Sequence, residues 1–576
     1  MDRVYTRIVS KRPVGPYALL SVDVVPWDPR AAEVAAEVVR LVTARRPDLA
    51  VEHIGSTAVP GLPGKGVVDL GIATDPPDVP RIAALLRELG FGPQPGPDPW
   101  PPTRPMLVGS MERGGTSFRI HVHVLPEPLE LQRQTAFRDA LRADPELVRS
   151  YAALKEGIVR GGLVEGHQYT YQKQAWIAEV HRRLGVEKPA IAPPATIGIL
   201  GGGQLGRMLG LAARAMGYRI AVLDPDPDCP AAAIADDVIV GGYDDIGAAL
   251  RLAERSQVVT YELEHVASAL IDALDPLLPV HPGRMPLVVT QYRIAERRFL
   301  ESVGAEVAPW RAVGTTAELR AAVDDLGGPP LRLKVSTGGY DGRGQIRLAS
   351  AADIVTAVDR VGGSAGGPLL VECELAFEAE LSIIVTRAED GRTTRYPIAR
   401  NRHDEGILTD SVAPAPVDSD VADRAAALGE RLAVAMGMVG TLTAELFLIP
   451  DGRLVVNELA PRVHNSGHWT IDGAATSQFE QHIRAICGLG LGATDALAPT
   501  AMVNLLGRGQ RREARLQTDA VARVLADPAV HLHLYDKRLV FERRKMGHVT
   551  ATGTTTDEAL DRARQAASGL RWEGES

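Results

Sequence analysis

Cysteine is scarce in this chain. Only Cys229, Cys373 and Cys487 occur among its 576 residues, far apart and in no CxxC or CxxH pattern. This spacing excludes a disulfide framework and argues against a zinc site built on paired cysteines. So few cysteines suit a protein that works in a reducing compartment, and we expect a cytoplasmic location.

Long apolar runs and an excess of positive charge are also missing. No stretch of about 18 apolar residues occurs, so we expect neither a membrane-spanning segment nor a membrane partner. The 63 basic and 72 acidic residues give a net charge of −9, which disfavours nucleic acid as a partner. The absence of a repeat of about 20 to 50 residues excludes solenoids and propellers.

The length predicts about three to four domains. Proline and alanine at Val186–Pro194 separate a helical pattern from a strand pattern, so we place the main boundary there. The proline-rich segment Pro93–Pro102 is interpreted as a surface loop bordering a site. Strand and helix patterns alternate after residue 195, which predicts a parallel α/β domain, and strand pairs from about residue 330 predict an antiparallel α+β region.

A first glycine loop follows the strand pattern that contains Gly198. Gly201, Gly203 and Gly206 have the spacing of a dinucleotide-binding turn, and Asp224 ends the next strand about 20 residues on, where a ribose-binding acid is expected. Backbone amides at a helix N-terminus bind a nucleotide monophosphate equally well. NAD, another phosphate ligand and a structural turn therefore all remain open.

A second glycine loop, from Gly338 to Gln345, directly follows a strand pattern that contains Lys334. A lysine on a strand can reach nucleotide phosphates, and a glycine-rich loop can fold its amides over them. The alternative is an ordinary hairpin with an exposed loop.

Two acidic residues interrupt apolar strand patterns on either side of a turn at Pro450–Gly452. A hairpin there would bring Glu445 close to Asn457 and Glu458, whose oxygen atoms suit Mg²⁺ held between protein and ATP. The alternative is outward-facing, solvated carboxylates.

A short polar run follows this hairpin. A cation, an amide and imidazoles beside a metal pair suit an anionic intermediate such as an acyl phosphate. The run contains Arg462, His464, Asn465 and His468.

These motifs together resemble one family. GILGGGQLGRML, TYELEHV, LKVSTGGYDGRGQ, TAELFL and NELAPRVHNSGHWT, within residues 196 to 570, are similar to 5-(carboxyamino)imidazole ribonucleotide synthase, a PurK-type ATP-grasp ligase. The resemblance implies ATP-driven activation of bicarbonate to carboxyphosphate. It implies that carboxyphosphate then carboxylates aminoimidazole ribonucleotide, with release of ADP and phosphate.

The resemblance also implies a multidomain α/β and α+β fold. After a linker at 189–195 we expect a Rossmann-like pre-ATP-grasp domain at 196–292, an ATP-grasp domain at 293–500 and a C-terminal domain at 501–576. The implied cofactors are ATP and Mg²⁺, with bicarbonate as co-substrate. A homodimer is expected, although no residue pattern specifies one.

The family motifs carry site roles over to matching positions of this chain. The implied catalytic residues are Arg462 and His464, and the implied metal ligands are Glu445 and Glu458. The implied ATP-binding residues are Arg293, Lys334, Gly339, Tyr340, Asp341, Gly342, Arg343, Gly344, Gln345, Glu372, Cys373, Glu374, Leu375, Glu380, His403, Asn457 and Glu458. The implied ribonucleotide-binding residues are Gln204, Leu205, Glu262, Tyr340, Asp341, Lys537 and Arg544.

One segment departs from the family pattern. In the stretch from Lys537 to Lys545, Phe541 stands where relatives commonly have arginine, and Arg543 stands where they have glycine. The contacts to the ribonucleotide phosphate are therefore less firmly implied than those to ATP.

Residues 1–188 resemble the GrpB-like (UPF0157) branch of the nucleotidyltransferase fold. Gly55 and Ser56 precede a turn, and Asp69 lies on the next strand pattern. The second acid usual in active transferases is absent, because the position two residues after Asp69 is Gly71. His53, His121 and His123 are candidates to complete a polar site, and a catalytically silent nucleotide-binding domain is an equal alternative.

The sequence leaves three functions open for the whole chain. The first is the carboxylating ligase, and the second is an NAD-dependent oxidoreductase built on the first glycine loop. An oxidoreductase would leave Lys334, Glu445 and Glu458 without a role. The third is a non-catalytic nucleotide-binding fusion.

Overall fold

The computed structural model describes residues 12–18, 23–95, 102–160, 166–338, 344–350, 353–354, 357 and 368–573. The chain divides into two compact units, Met1–Pro189 and Ala190–Ser576. No helix in these described ranges has the length and apolarity needed to cross a membrane.

The first unit contains a five-stranded sheet of order β1-β2-β5-β4-β3. Its β2 and β5 run parallel and the other pairs are antiparallel. The strands are β1 Val51–Ile54, β2 Val67–Ala73, β3 Gly92–Pro93, β4 Met106–Arg113 and β5 Thr116–Leu125; the helices are α1 Arg30–Thr43, α2 Val79–Leu89, α3 Pro128–Ala143, α4 Pro145–Arg160 and α5 Gly166–Arg183.

The two faces of β2 differ in chemistry. Val68, Leu70 and Ile72 are fully buried with apolar residues of α1 and α2. Because side chains alternate along a strand, Asp69 and Gly71 belong to the other face. That polar face is where the candidate residues of this unit lie. The predicted proline-rich loop falls partly outside the described residues, which omit 96–101.

The second unit begins with a parallel sheet of order β10-β9-β6-β7-β8. Its apolar strands are buried by helices, as the alternating pattern predicts. The strands are β6 Thr196–Leu200, β7 Arg219–Asp224, β8 Asp237–Val240, β9 Val258–Tyr261 and β10 Val280–His281; the helices are α6 Gln204–Ala215, α7 Ile246–Ala253, α8 Ser268–Leu274, α9 Arg284–Gln291 and α10 Arg293–Ser302.

A four-stranded antiparallel sheet of order β11-β14-β12-β13 follows. A capping box formed by Thr315 and Glu318 starts its helix. The elements are β11 Trp310–Val313, α11 Thr316–Asp325, β12 Leu331–Val335, β13 Gln345–Leu348 and β14 Leu369–Cys373.

The last sheet follows the order β20-β19-β15-β17-β18-β21-β25-β23, with β16 paired to β15. β18 pairs with β21, so the sheet continues across the predicted boundary at residue 500. The elements are β15 Ala379–Arg387, β16 Thr393–Arg395, β17 Ala399–Asp404, β18 Ile407–Ala413, α12 Ser419–Ala435, β19 Gly440–Leu448, β20 Leu454–Ala460, α13 Thr470–Gly473, α14 Gln478–Ile486, β21 Thr500–Leu506, β22 Arg512–Glu513, α15 Thr518–Val524, β23 Val530–Leu534, β24 Leu539–Val540, β25 Lys545–Thr552 and α16 Thr556–Gly569.

The predicted fold class is confirmed: a parallel α/β region precedes the antiparallel α+β region. The predicted linker is partly anchored to the second unit. The Ile191 amide donates to the Cys487 carbonyl at 2.9 Å, and the Tyr218 hydroxyl donates to the Ile191 carbonyl at 2.7 Å.

Candidate active site

A buried charge network surrounds Lys334 on β12. The ammonium of Lys334 pairs with Glu372 on β14, and Nη2 of Arg297 donates to the same carboxylate at 2.9 Å. Burial raises the pKa of Glu372, but the charges of Lys334 and Arg297 outweigh burial and bring that pKa to about 2. Glu372 therefore stays ionised and fixes the position of the lysine.

The second glycine loop is described only at its end. The Gly344 carbonyl accepts from the Val335 amide at 2.8 Å, and Gln345 lies opposite Lys334 in the β12–β13 register. The end of the loop thus returns to the strand that carries the lysine. Gly339, Tyr340, Asp341, Gly342 and Arg343 lie outside the described residues.

The segment from Glu372 to Leu375 leaves β14 at Cys373. Its Glu374 carboxylate accepts from Arg332 at 2.7 Å and from Arg347 at 2.6 Å. The Cys373 thiol lies 3.8 Å from the Leu326 carbonyl. The side chains of both residues thus have protein partners.

Two carboxylates face each other on the predicted hairpin. Glu445 of β19 lies opposite Glu458 of β20, and Oε2 of Glu445 is 3.5 Å from Nδ2 of Asn457. Burial, followed by the charge of Glu458, raises the pKa of Glu445. Burial also raises the pKa of Glu458, but the charges of Arg293 and Lys334 outweigh it and lower that pKa. Because the two carboxylates repel each other, a cation bound between them would be stabilised.

Arg293 and His403 lie around this pair of glutamates. Nη1 of Arg293 is 3.3 Å from Oε2 of Glu458. Nδ1 of His403 lies 2.7 Å from Oε2 of Glu380, which also accepts from the His403 amide at 3.2 Å. Burial lowers the pKa of His403, but the Glu380 hydrogen bond and nearby glutamate charges raise it overall.

Arg462 is held by a residue that the sequence did not single out. Nε and Nη2 of Arg462 lie 2.9 and 3.0 Å from the two oxygens of Glu264. Nη2 donates a hydrogen bond to Glu264, Nη1 donates to the Val463 carbonyl at 3.0 Å, and together these contacts hold the guanidinium in place. Glu264 lies within the TYELEHV motif, so the motif itself was the available signal.

His464 lies at the edge of the same site. Its Nδ1 is 2.9 Å from Oγ of Ser466, and its Nε2 is 3.5 Å from Oε1 of Glu445. Burial, with the charge of Arg462, holds the pKa of His464 well below its ordinary value, so the ring is neutral near pH 7. His468 is fully buried and lies beside His548, with ring centres 4.7 Å apart.

The first glycine loop is closed by carboxylates of its own domain. Glu262 accepts from the amides of Gly203 and Gly206. Asp224 accepts from the Gly202 amide and from the Tyr243 hydroxyl, each at 2.7 Å. The Asp224 carboxylate is thus hydrogen-bonded within the loop and is not free to bind the ribose of a dinucleotide. This geometry disfavours NAD.

The predicted ribonucleotide residues are joined across two sheets. Nζ of Lys537 donates to Oε1 of Gln204 at 2.6 Å and to the Lys545 carbonyl at 2.8 Å. Arg544 lies over the Phe541 ring, 5.1 Å from its centre. Leu205 packs at the margin of the apolar core under α6.

The unusual arginine at position 543 has a left-handed backbone, with φ of 64°. This region favours glycine, which is the residue that the family resemblance implies at this position. The Arg543 guanidinium lies 3.2 Å from Asp404 and 2.9 Å from Glu405. These ion pairs link the C-terminal segment to the turn after His403.

The network contains further residues that the sequence did not indicate. Each contacts a predicted site residue directly, and only the fold brings them together. They are Glu264, Arg297, Ser466, Gln478 and Lys545.

Family models match almost the whole chain. The model described as an ATP-grasp domain matches residues 298–479, so the second unit is of the ATP-grasp class. A ribonucleotide synthetase preATP-grasp domain matches 194–291, and a phosphoribosylaminoimidazole carboxylase C-terminal domain matches 500–562. The GrpB protein model matches 21–183.

Individual relatives are more specific. An N5-carboxyaminoimidazole ribonucleotide synthase of Bacillus subtilis is 42% identical over 65% of this chain and 95% of the relative, and one of Brucella melitensis is 42% identical over 63% and 98%. This chain belongs to the N5-carboxyaminoimidazole ribonucleotide synthase family, with a GrpB domain at its N-terminus.

Solved structures agree with this assignment. The ADP complex of an N5-carboxyaminoimidazole ribonucleotide synthetase is 42% identical, covers 66% of this chain and 97% of its own, and has a TM-score of 0.61. The Aspergillus clavatus enzyme with ADP and 5-aminoimidazole ribonucleotide is 29% identical over 65% and 98%, with a TM-score of 0.58.

Proposed function

We propose that the second unit is an ATP-dependent carbon–nitrogen ligase of purine biosynthesis. It carboxylates 5-aminoimidazole ribonucleotide with bicarbonate through carboxyphosphate, giving 5-carboxyaminoimidazole ribonucleotide, ADP and phosphate. The observation that carries this proposal is the continuous charged site from Lys334 through Glu458 and Glu445 to Arg462, in a chain of this family. The site offers cations for phosphates, a carboxylate pair for a metal and a fixed guanidinium for an anionic intermediate.

The nucleotide is proposed to lie along β12, the segment from Glu372 to Leu375, and β20. Lys334 and Arg293 supply positive charge for phosphates, and Glu380 with His403 supplies polar groups for the ribose. Because Cys373 and Glu374 direct their side chains to protein partners, their contribution is assigned to the backbone. The full proposed ATP set is Arg293, Lys334, Gly339, Tyr340, Asp341, Gly342, Arg343, Gly344, Gln345, Glu372, Cys373, Glu374, Leu375, Glu380, His403, Asn457 and Glu458.

Glu445 and Glu458 are proposed to hold Mg²⁺. The donors fit, because two carboxylates face each other beside the amide of Asn457, and Mg²⁺ prefers such hard oxygen ligands. Bound Mg²⁺ would neutralise charge between these carboxylates and the ATP phosphates.

Arg462 and His464 are proposed as the catalytic residues. Hydrogen bonds to Glu264 and to the Val463 carbonyl hold the guanidinium, so it is already oriented when negative charge develops on the carboxyphosphate. The neutral His464 can accept a proton or donate its N–H. Its Nε2 is 3.5 Å from Oε1 of Glu445, which is one of the two proposed metal ligands.

The ribonucleotide is proposed to bind where Gln204, Lys537 and Arg544 approach one another. Lys537 already spans from Gln204 to the Lys545 carbonyl, so a phosphate could take over part of its coordination. Glu262 holds the start of α6 in place. The full proposed set is Gln204, Leu205, Glu262, Tyr340, Asp341, Lys537 and Arg544.

The test measures phosphate release with bicarbonate and 5-aminoimidazole ribonucleotide, each also omitted. We expect release to require both. Lys334→Ala should abolish it, whereas Arg395→Ala, which removes a surface ion pair with Glu430, should not. Equal turnover without the ribonucleotide, or a folded Lys334→Ala variant with normal turnover, would contradict the proposal.

The finer organisation is proposed from the same features. Domain limits are set at 1–188, 196–292, 293–500 and 501–576, with a linker at 189–195. A cytoplasmic location suits the free thiols of Cys229, Cys373 and Cys487. A homodimer is proposed for the oligomeric state, which light scattering on the purified chain would measure.

A further inference from the structure

Three side chains with metal-ligand atoms converge on the polar face of the first unit. In the parallel register Asp69 of β2 lies opposite His121 of β5, and His123 follows two residues later on the same face. Oδ1 of Asp69 is 3.4 Å from Nδ1 of His121 and 3.7 Å from Nε2 of His123. All three ligand atoms lie within 4.8 Å of one another, a separation that one metal ion can bridge.

The second acidic residue of active transferases is absent here, and the β2–β5 register brings a histidine beside its position. Gly71 lies opposite His123. A Cβ atom at Gly71 would lie 2.6 Å from Cδ1 of Leu131, so any side chain there would require Leu131 to move. His123, on the neighbouring strand, directs its imidazole to Asp69 from beside the position where the second acid is missing. His53 is not one of the three converging residues, and its Nε2 lies 3.1 Å from Oγ1 of Thr57.

A further contact orients one of the imidazoles. The Tyr17 hydroxyl lies 2.9 Å from Nε2 of His121, the nitrogen remote from Asp69. When that nitrogen donates to Tyr17, Nδ1 keeps its lone pair toward Asp69, which is how outer partners prepare metal-binding histidines. The side chains of Asp69, His121 and His123 are 26%, 16% and 17% exposed, so the group is open on one side.

The surroundings of the open side are basic. Burial lowers the pKa of Lys65, and the charge of Asp69 partly restores it. Burial and the charge of Lys65 lower the pKa of Lys173 to about 7. Lys65 and Arg119 also line a cavity of about 380 Å³ next to the Ser56 turn. Lys65 and Arg119 bring positive charge to this cavity, which favours an anionic ligand.

We propose that Asp69, His121 and His123 bind a divalent transition metal ion whose open coordination positions accept a phosphate or similar oxyanion. Two imidazoles and one carboxylate favour Zn²⁺, Co²⁺ or Fe²⁺ over Mg²⁺, which prefers oxygen ligands. Three protein ligands leave at least one position open, as in catalytic zinc sites.

The test is titration of the full-length protein with Co²⁺, followed by visible absorption. We expect one equivalent to give intense d–d bands of low coordination number. Asp69→Asn and His123→Gln should each weaken binding more than about 100-fold, beyond the usual effect of an outer-sphere change. The control His533→Gln, which removes an imidazole paired with Asp472 in the ligase, should bind as wild type.

Tyr17→Phe serves as a milder variant if the ligand variants do not fold, with an expected loss of about 10-fold. The site would be overturned by unchanged Co²⁺ binding in folded Asp69→Asn and His123→Gln, or in Tyr17→Phe if those do not fold. Full competition by equimolar Mg²⁺ would also overturn it.

The oxyanion is tested on the Co²⁺-loaded protein with inorganic phosphate. We expect phosphate to shift the visible bands, and Lys173→Met to raise the phosphate concentration needed by about 10-fold or more. Bands that do not respond to phosphate would overturn the oxyanion part of the proposal.

Discussion

The Asp69 group and the Glu445–Glu458 pair both place side chains with metal-ligand atoms on neighbouring strands, but the two groups differ in what stands opposite the carboxylate. In the ligase two glutamates lie opposite each other, and Arg293 and Lys334 favour the ionised form of one of them. In the first unit a single aspartate has two imidazoles as neighbours. The first arrangement suits a hard ion shared with nucleotide phosphates, and the second suits a softer ion bound through two imidazoles.

The comparison teaches that the environment of a carboxylate decides its chemistry. Because each group has its own charge partners within its own unit, a change in one should leave the other intact. The predictions below test this independence and the roles within the ligase, from the largest expected effect to the smallest.

Glu458→Gln should reduce ATP-dependent carboxylation more than about 1,000-fold, since it removes one of the facing carboxylates and the charge that pairs with Arg293. Coupled phosphate-release kinetics would measure this loss. Co²⁺ binding at Asp69 should be unchanged. Asp69→Asn should instead weaken Co²⁺ binding and leave carboxylation unchanged. A folded variant of either kind that loses both carboxylation and Co²⁺ binding would contradict the independence of the two groups.

Arg462→Ala should lower kcat about 100-fold with little change in ADP affinity, because loss of one preorganised donor costs on the order of 3 kcal/mol in the barrier. Glu264→Gln should lower kcat about 10-fold by releasing the guanidinium. Steady-state kinetics and calorimetric ADP titration give the two readouts. A parallel fall in affinity would assign Arg462 to nucleotide binding instead.

Removal of residues 1–188 should leave the ligase active, because its proposed site residues all follow the cut. A chain starting at residue 196 should be less stable by about 1 to 3 kcal/mol, since it loses the two hydrogen bonds of Ile191. Thermal unfolding of the two truncated proteins measures the difference. If residues 189–576 fold but turn over only when 1–188 is added, the units are not independent.

The His403–Glu380 pair should make the ligase more stable at lower pH within the neutral range. A histidine pKa raised on folding contributes stability below the unfolded value of about 6.5, and this contribution is lost as pH rises through the folded value. Glu380→Gln should therefore cost about 1 to 2 kcal/mol at pH 6 and less at pH 8.5. Calorimetry would measure this loss of stability on the unfolding transition that ADP shifts, which is the transition of the ligase. An equal loss at both pH values would contradict a charged His403 paired with Glu380.

Arg543→Gly should change stability by less than about 1 kcal/mol, because relief of the left-handed backbone offsets the lost surface ion pairs. Arg543→Ala keeps the strain and loses the pairs, so it should be about 1 kcal/mol less stable than the glycine variant. Urea unfolding measures the stability of both variants. Equal stability of the glycine and alanine variants would show that the backbone at this position is unstrained.

Sequence patterns predicted those parts of the site that are continuous in the chain. The Glu445–Glu458 hairpin follows from two strands and one turn, and Lys334 follows from one strand and its loop. The pairing of Arg462 with Glu264 spans 198 residues, and a pattern of local spacing holds no information about it. The same holds for Arg297 of α10, which meets Glu372 of β14 across 75 residues of sequence.

The first glycine loop shows a second limit. Its spacing allowed three ligands, because the motif specifies amides at a helix start but not what they bind. Glu262 and Asp224 settle the local geometry, and neither could be assigned to the loop before the parallel sheet brought them there.

The pairing of β18 with β21 bears on how such a gene can be rearranged. A recombination junction near residue 189 falls between two units that each close their own sheets, so a GrpB module can be gained or lost there as a block. A junction at residue 500 would cut through one sheet and expose the edges of both strands to unrelated partners. The C-terminal segment is therefore expected to be inherited together with the ATP-grasp region, whatever is fused before it.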